Sequence, residues 1–123
     1  MKKIIIVEDD PLLVEIYQKK FEQDGNFEIA VASTGAELDK KIQEGKPSLI
    51  LLDLVLPEVD GFGVLEKIRA NKNLDDVKVI IFSNLSQQEE KDRAKELGAD
   101  DFIIKSDYTP SQIVDKIKSI MKE

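Results

Sequence analysis

The sequence predicts an α/β protein built on a doubly wound, five-stranded parallel sheet with five helices. Three observations carry that prediction. Strand-like and helix-like segments alternate from one end of the chain to the other, with no internal repeat, low-complexity stretch or linker between them. Three of the strand segments, 3–7, 49–52 and 77–82, are apolar throughout apart from Lys3 and Lys78, the pattern of strands covered on both faces. The 123 residues, 41% hydrophobic and 35% charged, are enough for one core and are read as one domain, 1–123.

The first strand, 3–7, runs into Glu8-Asp9-Asp10-Pro11. Pro11 suits the first position of a helix and Asp10 its N-cap. Leu13, Ile16, Tyr17 and Phe21 form the apolar stripe of that helix, and Gly25 suits its C-terminal cap. In segment 27–32, Phe27, Ile29 and Val31 alternate with Glu28, Ala30 and Ala32, so one face is only partly apolar. Thr34 and Glu37 have capping-box spacing, with Leu38 and Ile42 facing inward behind them. The third strand, 49–52, ends at Asp53. Pro57 then breaks the chain and Asp60-Gly61 opens a helix to about residue 71, with Val64, Leu65 and Ile68 inward.

The fourth strand ends at Ser83. Ser86 and Glu89 have capping-box spacing, and the helix they open has only Ala94 and Leu97 as apolar residues. It has little to bury and is expected to be weakly held, with Gly98 ending it. The short strand 102–104 ends at Lys105. Thr109, Pro110 and Gln112 start the last helix, whose Ile113, Ile117, Ile120 and Met121 follow the helical repeat. Strands one, three and four belong in the centre, and two and five at the edges. With right-handed crossovers this favours the order 2-1-3-4-5, that of a flavodoxin-like sheet.

Composition excludes several functions. The chain has no Cys and no His, which removes disulfides, thiolate chemistry, imidazole catalysis and His metal sites. A net charge of −7 argues against a nucleic-acid groove. No apolar run approaches the roughly 20 residues of a membrane span, and the one behind Met1-Lys2-Lys3 is too short for a signal peptide, so the expected location is cytoplasmic.

Parallel strands bring their carboxyl ends to one rim. That rim carries Glu8 and Asp9 from strand one, Asp53 from three, Ser83 from four and Lys105 from five. Successive spacings from Asp9 are 44, 30 and 22 residues, or two, one and one βα units. Alone, each reads more plainly: Glu8 and Asp9, with Asp10, as a helix-start cluster, Asp53 as a surface charge (a poor fit after Leu49–Leu52), Ser83 as a strand-end or turn residue, Lys105 as a charge that blocks edge pairing. Together, three acids require a proton or a cation among them, and Mg²⁺ suits carboxylate and carbonyl oxygens. Anionic oxygens held between a metal, an ammonium and a hydroxyl describe a phosphoryl group, for which a carboxylate is a competent nucleophile.

Four pieces, Val7-Glu8-Asp9-Asp10, the run from Asp53 through Pro57 to Asp60-Gly61, Phe82-Ser83, and the run from Gly98 to Lys105, together resemble the receiver domain of two-component response regulators. The resemblance covers essentially the whole chain and is similar to the single-domain chemotaxis-type regulators. Those regulators are themselves a standard example of the 2-1-3-4-5 order, so the strand order and the resemblance are not independent of each other. The resemblance implies that Asp53 is the phosphoacceptor, charged by a sensor histidine kinase or histidine phosphotransfer protein. It implies that Glu8, Asp9, Asp53 and the backbone carbonyl of Val55 hold Mg²⁺ (or Mn²⁺). Ser83 moves toward the phosphoryl group, Lys105 bridges to it, and Phe102 is the switch aromatic. The face of helix four, strand five and helix five then controls a downstream protein target. On this reading the chain is a regulatory domain, not an enzyme.

Three positions depart from the family pattern. Ser106 stands where Pro usually follows the lysine, which removes the usual reason for a cis bond. Asn84 stands where a small residue is usual, and either narrows access or adds a hydrogen bond. Val55 and Leu85 stand where polar side chains in some relatives orient the hydrolytic water, so self-dephosphorylation is expected to be slow. Three other functions are weaker fits. An aspartate-nucleophile phosphatase of the haloacid dehalogenase type would need a second acid where Val55 stands. A flavodoxin-like cofactor binder would need phosphate donors where Glu8-Asp9-Asp10 would repel them. A phosphorylation-independent docking module would not need all these positions filled. The chain, ending at Glu123, is expected to be a stand-alone regulator or a receiver from a longer protein.

Overall fold

The computed structural model describes residues 2–56, 60–84 and 87–121. Its strands are β1 (Lys2–Val7), β2 (Phe27–Ala32), β3 (Leu49–Leu52), β4 (Lys78–Ser83) and β5 (Asp101–Ile104). They pair in parallel in the predicted order, β2-β1-β3-β4-β5. The helices between and after them are α1 (Pro11–Asp24), α2 (Gly35–Glu44), α3 (Gly61–Ala70), α4 (Gln88–Glu96) and α5 (Pro110–Met121).

The unbroken apolar runs are explained by cover on both faces. Ile4, Ile6, Leu49, Leu51 and Phe82 point to one side, where Tyr17 and Phe21 of α1 and Ile113 and Ile117 of α5 pack on them. Their neighbours Ile5, Val7, Ile50, Leu52 and Ile81 point the other way, onto Leu38 of α2, Leu65 and Ile68 of α3 and Ala94 of α4. Side chains alternate faces along a strand, so a strand buried on both sides must be apolar at every position. Pairing of Val7 with Leu52, and of Leu52 with Ile81, brings the ends of the three central strands level. The residues that follow therefore share one rim.

Most helix ends follow the predicted chemistry. Asp10 Oδ1 accepts the N–H groups of Leu12 and Leu13 at 3.0 and 3.4 Å, and Gly25 closes α1 at φ 81°. Thr109 and Gln112 make both arms of their capping box, at 2.8 and 3.2 Å. Thr34 Oγ1 accepts the Glu37 N–H at 3.1 Å, but the Glu37 carboxylate turns to the N–H of Ser33, at 3.0 Å, so that box is half formed.

One expectation needs correction. Ile16 is 36% exposed: Tyr17 and Phe21, at 4% and 0%, fill the contact between α1 and the sheet and leave Ile16 at its edge. Ser86, expected to pair with Glu89 in a capping box, lies outside the described residues; at the start of α4 the Glu90 carboxylate accepts the Gln87 N–H at 3.1 Å.

Ala94 is the buried residue of α4, as its composition indicated. Cations supplement that thin apolar seam. The Arg93 guanidinium lies 4.2 Å from the centre of the Phe62 ring in α3. From α3, Arg69 donates to Gly98 O at 2.8 Å, to Val77 O at 2.9 Å and to the Asp100 carboxylate at 2.8 Å. The helix end is thus tied to the sheet through charge-assisted hydrogen bonds. Among the described residues no helix is long and apolar enough to cross a membrane.

Candidate functional site

The sheet's hydrogen-bond ladder continues one residue beyond the strands. Glu8 N–H donates to Ala32 O and Asp53 N–H to Val7 O, each at 3.0 Å, so the backbone of both acids is held by the sheet itself. Glu8 is 1% exposed and Asp53 5%, whereas Asp9 is exposed. Carboxylates this buried require partners. Glu8 Oε2 accepts the N–H of Asp9 at 2.9 Å and of Asp10 at 3.4 Å, and its Oε1 accepts from the Lys105 ammonium. Asp53 Oδ1 accepts the Val55 N–H at 3.1 Å, and Oδ2 accepts from Lys105 Nζ at 3.0 Å. One ammonium therefore bridges two acids contributed by different strands.

Lys105 starts a short 3₁₀ turn, Lys105–Asp107, directly after β5. Its Nζ lies 5.0 Å from the centre of the Phe82 ring, and Tyr17 packs edge-on against Phe82 at 4.9 Å. These two rings form an apolar floor below the ammonium. Burial pushes the Glu8 carboxyl up from 4.5 to about 6; the Lys105 hydrogen bond opposes that rise, and the nearby Asp53 charge adds to it. Burial alone would lower the Lys105 ammonium, but its bonds to Glu8 and Asp53 outweigh this and hold it above the usual lysine range.

One carboxylate oxygen from each of Glu8, Asp9 and Asp53 lies within 4.8 Å of the others. The set is all hard oxygen, and one ammonium cannot neutralise three acids. Such donors fit Mg²⁺ or Mn²⁺ and do not fit a soft, thiolate-seeking metal. The cleft above them has a volume of about 400 Å³ and is also lined by Val55, Asn84 and Lys105. A larger cavity of about 530 Å³ between α2 and α3 has only Asp39 and Lys67 as charged residues and brings no such groups together.

Glu8, Asp9, Asp53 and Lys105 thus converge as the strand ends implied. Ser83 is fully buried at the end of β4, paired in register with Ile104, next to Lys105. Phe102 is half-buried and lines a groove of about 390 Å³ between α4 and β5. Leu85 lies outside the described residues. Sequence reasoning missed the aromatic floor: the apolar stripe of α1 marked Tyr17 as buried, but not what it would support.

Gly61 packs directly against the backbone of Asp53 and Leu54. A Cβ there would lie 2.4 Å from Leu54 Cα, 2.6 Å from Leu54 O and 2.8 Å from Asp53 O, all backbone atoms with no room to yield. Gly61→Ala is expected to lose about 2 kcal/mol of stability in urea unfolding, the usual scale of an overpacked site. Metal affinity should fall with it, because the displaced backbone carries Asp53.

The chain matches the model of the response regulator receiver domain over residues 4–118. It is 32% identical over 121 residues to the alkaline phosphatase synthesis transcriptional regulatory protein PhoP of Bacillus subtilis, covering 98% of this chain and 49% of that protein. It is 28% identical over 122 residues to the DNA-binding dual master transcriptional regulator RpaA of Synechocystis, covering 99% and 50%. The chain therefore spans about half the length of the curated relatives it matches. Among solved structures, a CheY-like receiver domain protein from Methanospirillum hungatei superposes with a TM-score of 0.88 at 30% identity, covering 99% of this chain and 94% of that one. The Mn²⁺-bound form of the response regulator Rcp1 superposes with a TM-score of 0.86 at 26% identity, covering 97% and 93%. With the strand order, the acidic rim and these matches in agreement, the chain belongs to the response regulator receiver domain family of two-component signalling.

Proposed function

We propose that this chain is a phospho-accepting receiver in which Asp53 takes a phosphoryl group from a phosphohistidine on a sensor kinase or phosphotransfer protein. The observation that carries the reading is the buried Asp53 carboxylate, bonded to the Lys105 ammonium at 3.0 Å on one oxygen and to a backbone N–H on the other. An Asp53 oxygen attacks phosphorus, the P–N bond to the imidazole breaks, and the departing ring nitrogen keeps the electron pair and is protonated. The product is an acyl phosphate on Asp53. Lys105 supplies positive charge to the phosphoryl oxygens, and Ser83 supplies a hydroxyl donor. Glu8, Asp9, Asp53 and the Val55 carbonyl would hold Mg²⁺ or Mn²⁺, whose charge neutralises phosphoryl oxygens when bound.

A new phosphoryl charge on Asp53 draws Ser83 and Lys105 toward it. Phe102 lies against the thinly packed α4, so the α4, β5 and α5 face is the proposed readout surface for a downstream protein. PhoP and RpaA are transcriptional regulators by name, which supports transcription as the output this receiver controls. The net charge of −7 argues that the receiver itself does not touch DNA. The test is incubation with acetyl phosphate and Mg²⁺ followed by intact-mass analysis. One added phosphate that EDTA prevents is expected; an unmodified chain would leave only a docking module.

The phosphorylated state should be long-lived. Val55, 58% exposed at the cleft, has no group that can orient an attacking water. Val55→Asn is expected to hydrolyse its phosphate about three to ten times faster after donor removal, the scale of one added hydrogen bond. Equal rates would contradict this.

A further inference from the structure

The two positions at which this chain departs from its family beside the lysine meet in space. Asn84 Oδ1 accepts the N–H of Ser106 at 3.0 Å. Proline at 106 would have no N–H to give, and a small residue at 84 would have no acceptor. Ser106 follows Lys105 in the 3₁₀ turn, where internal hydrogen-bond geometry is poor: Tyr108 N–H reaches Lys105 O only at 3.5 Å. Ile104, at the start of that turn, offers no side-chain cap. Among the described residues no peptide bond is cis. Asn84 also follows Ser83 directly and lines the cleft with Glu8, Asp53 and Lys105.

We infer that Asn84 is a positioning residue for Lys105, given that Asp53 is the phosphoacceptor. By accepting the Ser106 N–H it fixes the turn from which the ammonium reaches Glu8 and Asp53. A lysine head group sits on a flexible four-carbon stem, so it is placed only as well as its backbone origin. The bond also joins the end of β4 to the turn after β5, so Ser83 and Lys105 share one support.

The test has two arms. In unphosphorylated, metal-free protein, Asn84→Ala is expected to speed amide exchange at Ser106 about three- to tenfold, the worth of one ordinary hydrogen bond. Asn84→Asp, which keeps an oxygen acceptor, restores slow exchange. In the kinetic arm, Asn84→Ala slows phosphorylation by acetyl phosphate at saturating Mg²⁺ by a similar factor while the Mg²⁺ dissociation constant does not rise. In a Ser106→Pro background, which has no N–H to lose, Asn84→Ala has no further effect. Unchanged Ser106 exchange, or equal slowing in both backgrounds, overturns the inference. A wild type that takes up no phosphate fails differently: it removes the phosphoacceptor reading itself, whatever Ser106 exchange shows.

Discussion

Asp53→Asn takes up no phosphate from acetyl phosphate under conditions in which the wild type gains one. The substitution is nearly isosteric and keeps an oxygen that can accept the Val55 N–H, now bonded at 3.1 Å. What it removes is the anionic oxygen that attacks phosphorus; a neutral amide oxygen is a far weaker nucleophile. The expected loss is total within detection by intact mass. The fold should survive, because one charge leaves a rim where Glu8 and Asp53 repel each other and Lys105 keeps Glu8 as a partner. The melting temperature should equal or exceed that of the wild type. Phosphate on the variant would move the acceptor to another residue. A lowered melting temperature would instead show that the Asp53 charge holds the fold.

Lys105→Met is expected to divide the site's two properties. Methionine matches the length of the lysine stem, and a thioether sits well on the Phe82 and Tyr17 rings. Without the ammonium the phosphoryl oxygens lose a preorganised cation, for which about 100-fold in phosphorylation rate is a typical cost. Divalent metal, by contrast, no longer competes with an ammonium bonded to both Glu8 and Asp53. At pH 8 the Mg²⁺ dissociation constant should fall about tenfold, since nearby like charge is what raised it. The pH matters because Lys105 also opposes the rise of the Glu8 carboxyl. Its loss moves that carboxyl above the present value of about 6, and protons then compete with metal as pH falls. Slower phosphorylation with tighter metal binding is a pattern that general destabilisation does not produce. A variant that loses both together would argue that Lys105 holds the fold rather than the phosphoryl group.

Much of this protein was legible in its sequence because the relevant physics is local. A strand covered on both faces has no polar position, so the apolar runs marked β1, β3 and β4 and put them in the centre of the sheet. Each run stops where a charge or hydroxyl begins, which places Glu8, Asp53 and Ser83 at the rim. Caps made by Asp10 and by Thr109 with Gln112 are short-range hydrogen bonds, readable from spacing alone.

Tertiary structure decided the rest. That one ammonium spans Glu8 and Asp53, that Asn84 meets Ser106, that Arg69 holds the turn after α4, and that Ile16 stays at an edge all depend on which segments the sheet order brings together. Apolar burial leaves a periodic trace along the chain, because every turn or pleat repeats it. A single polar contact between distant residues leaves none, and it exists only once the fold has set the distance.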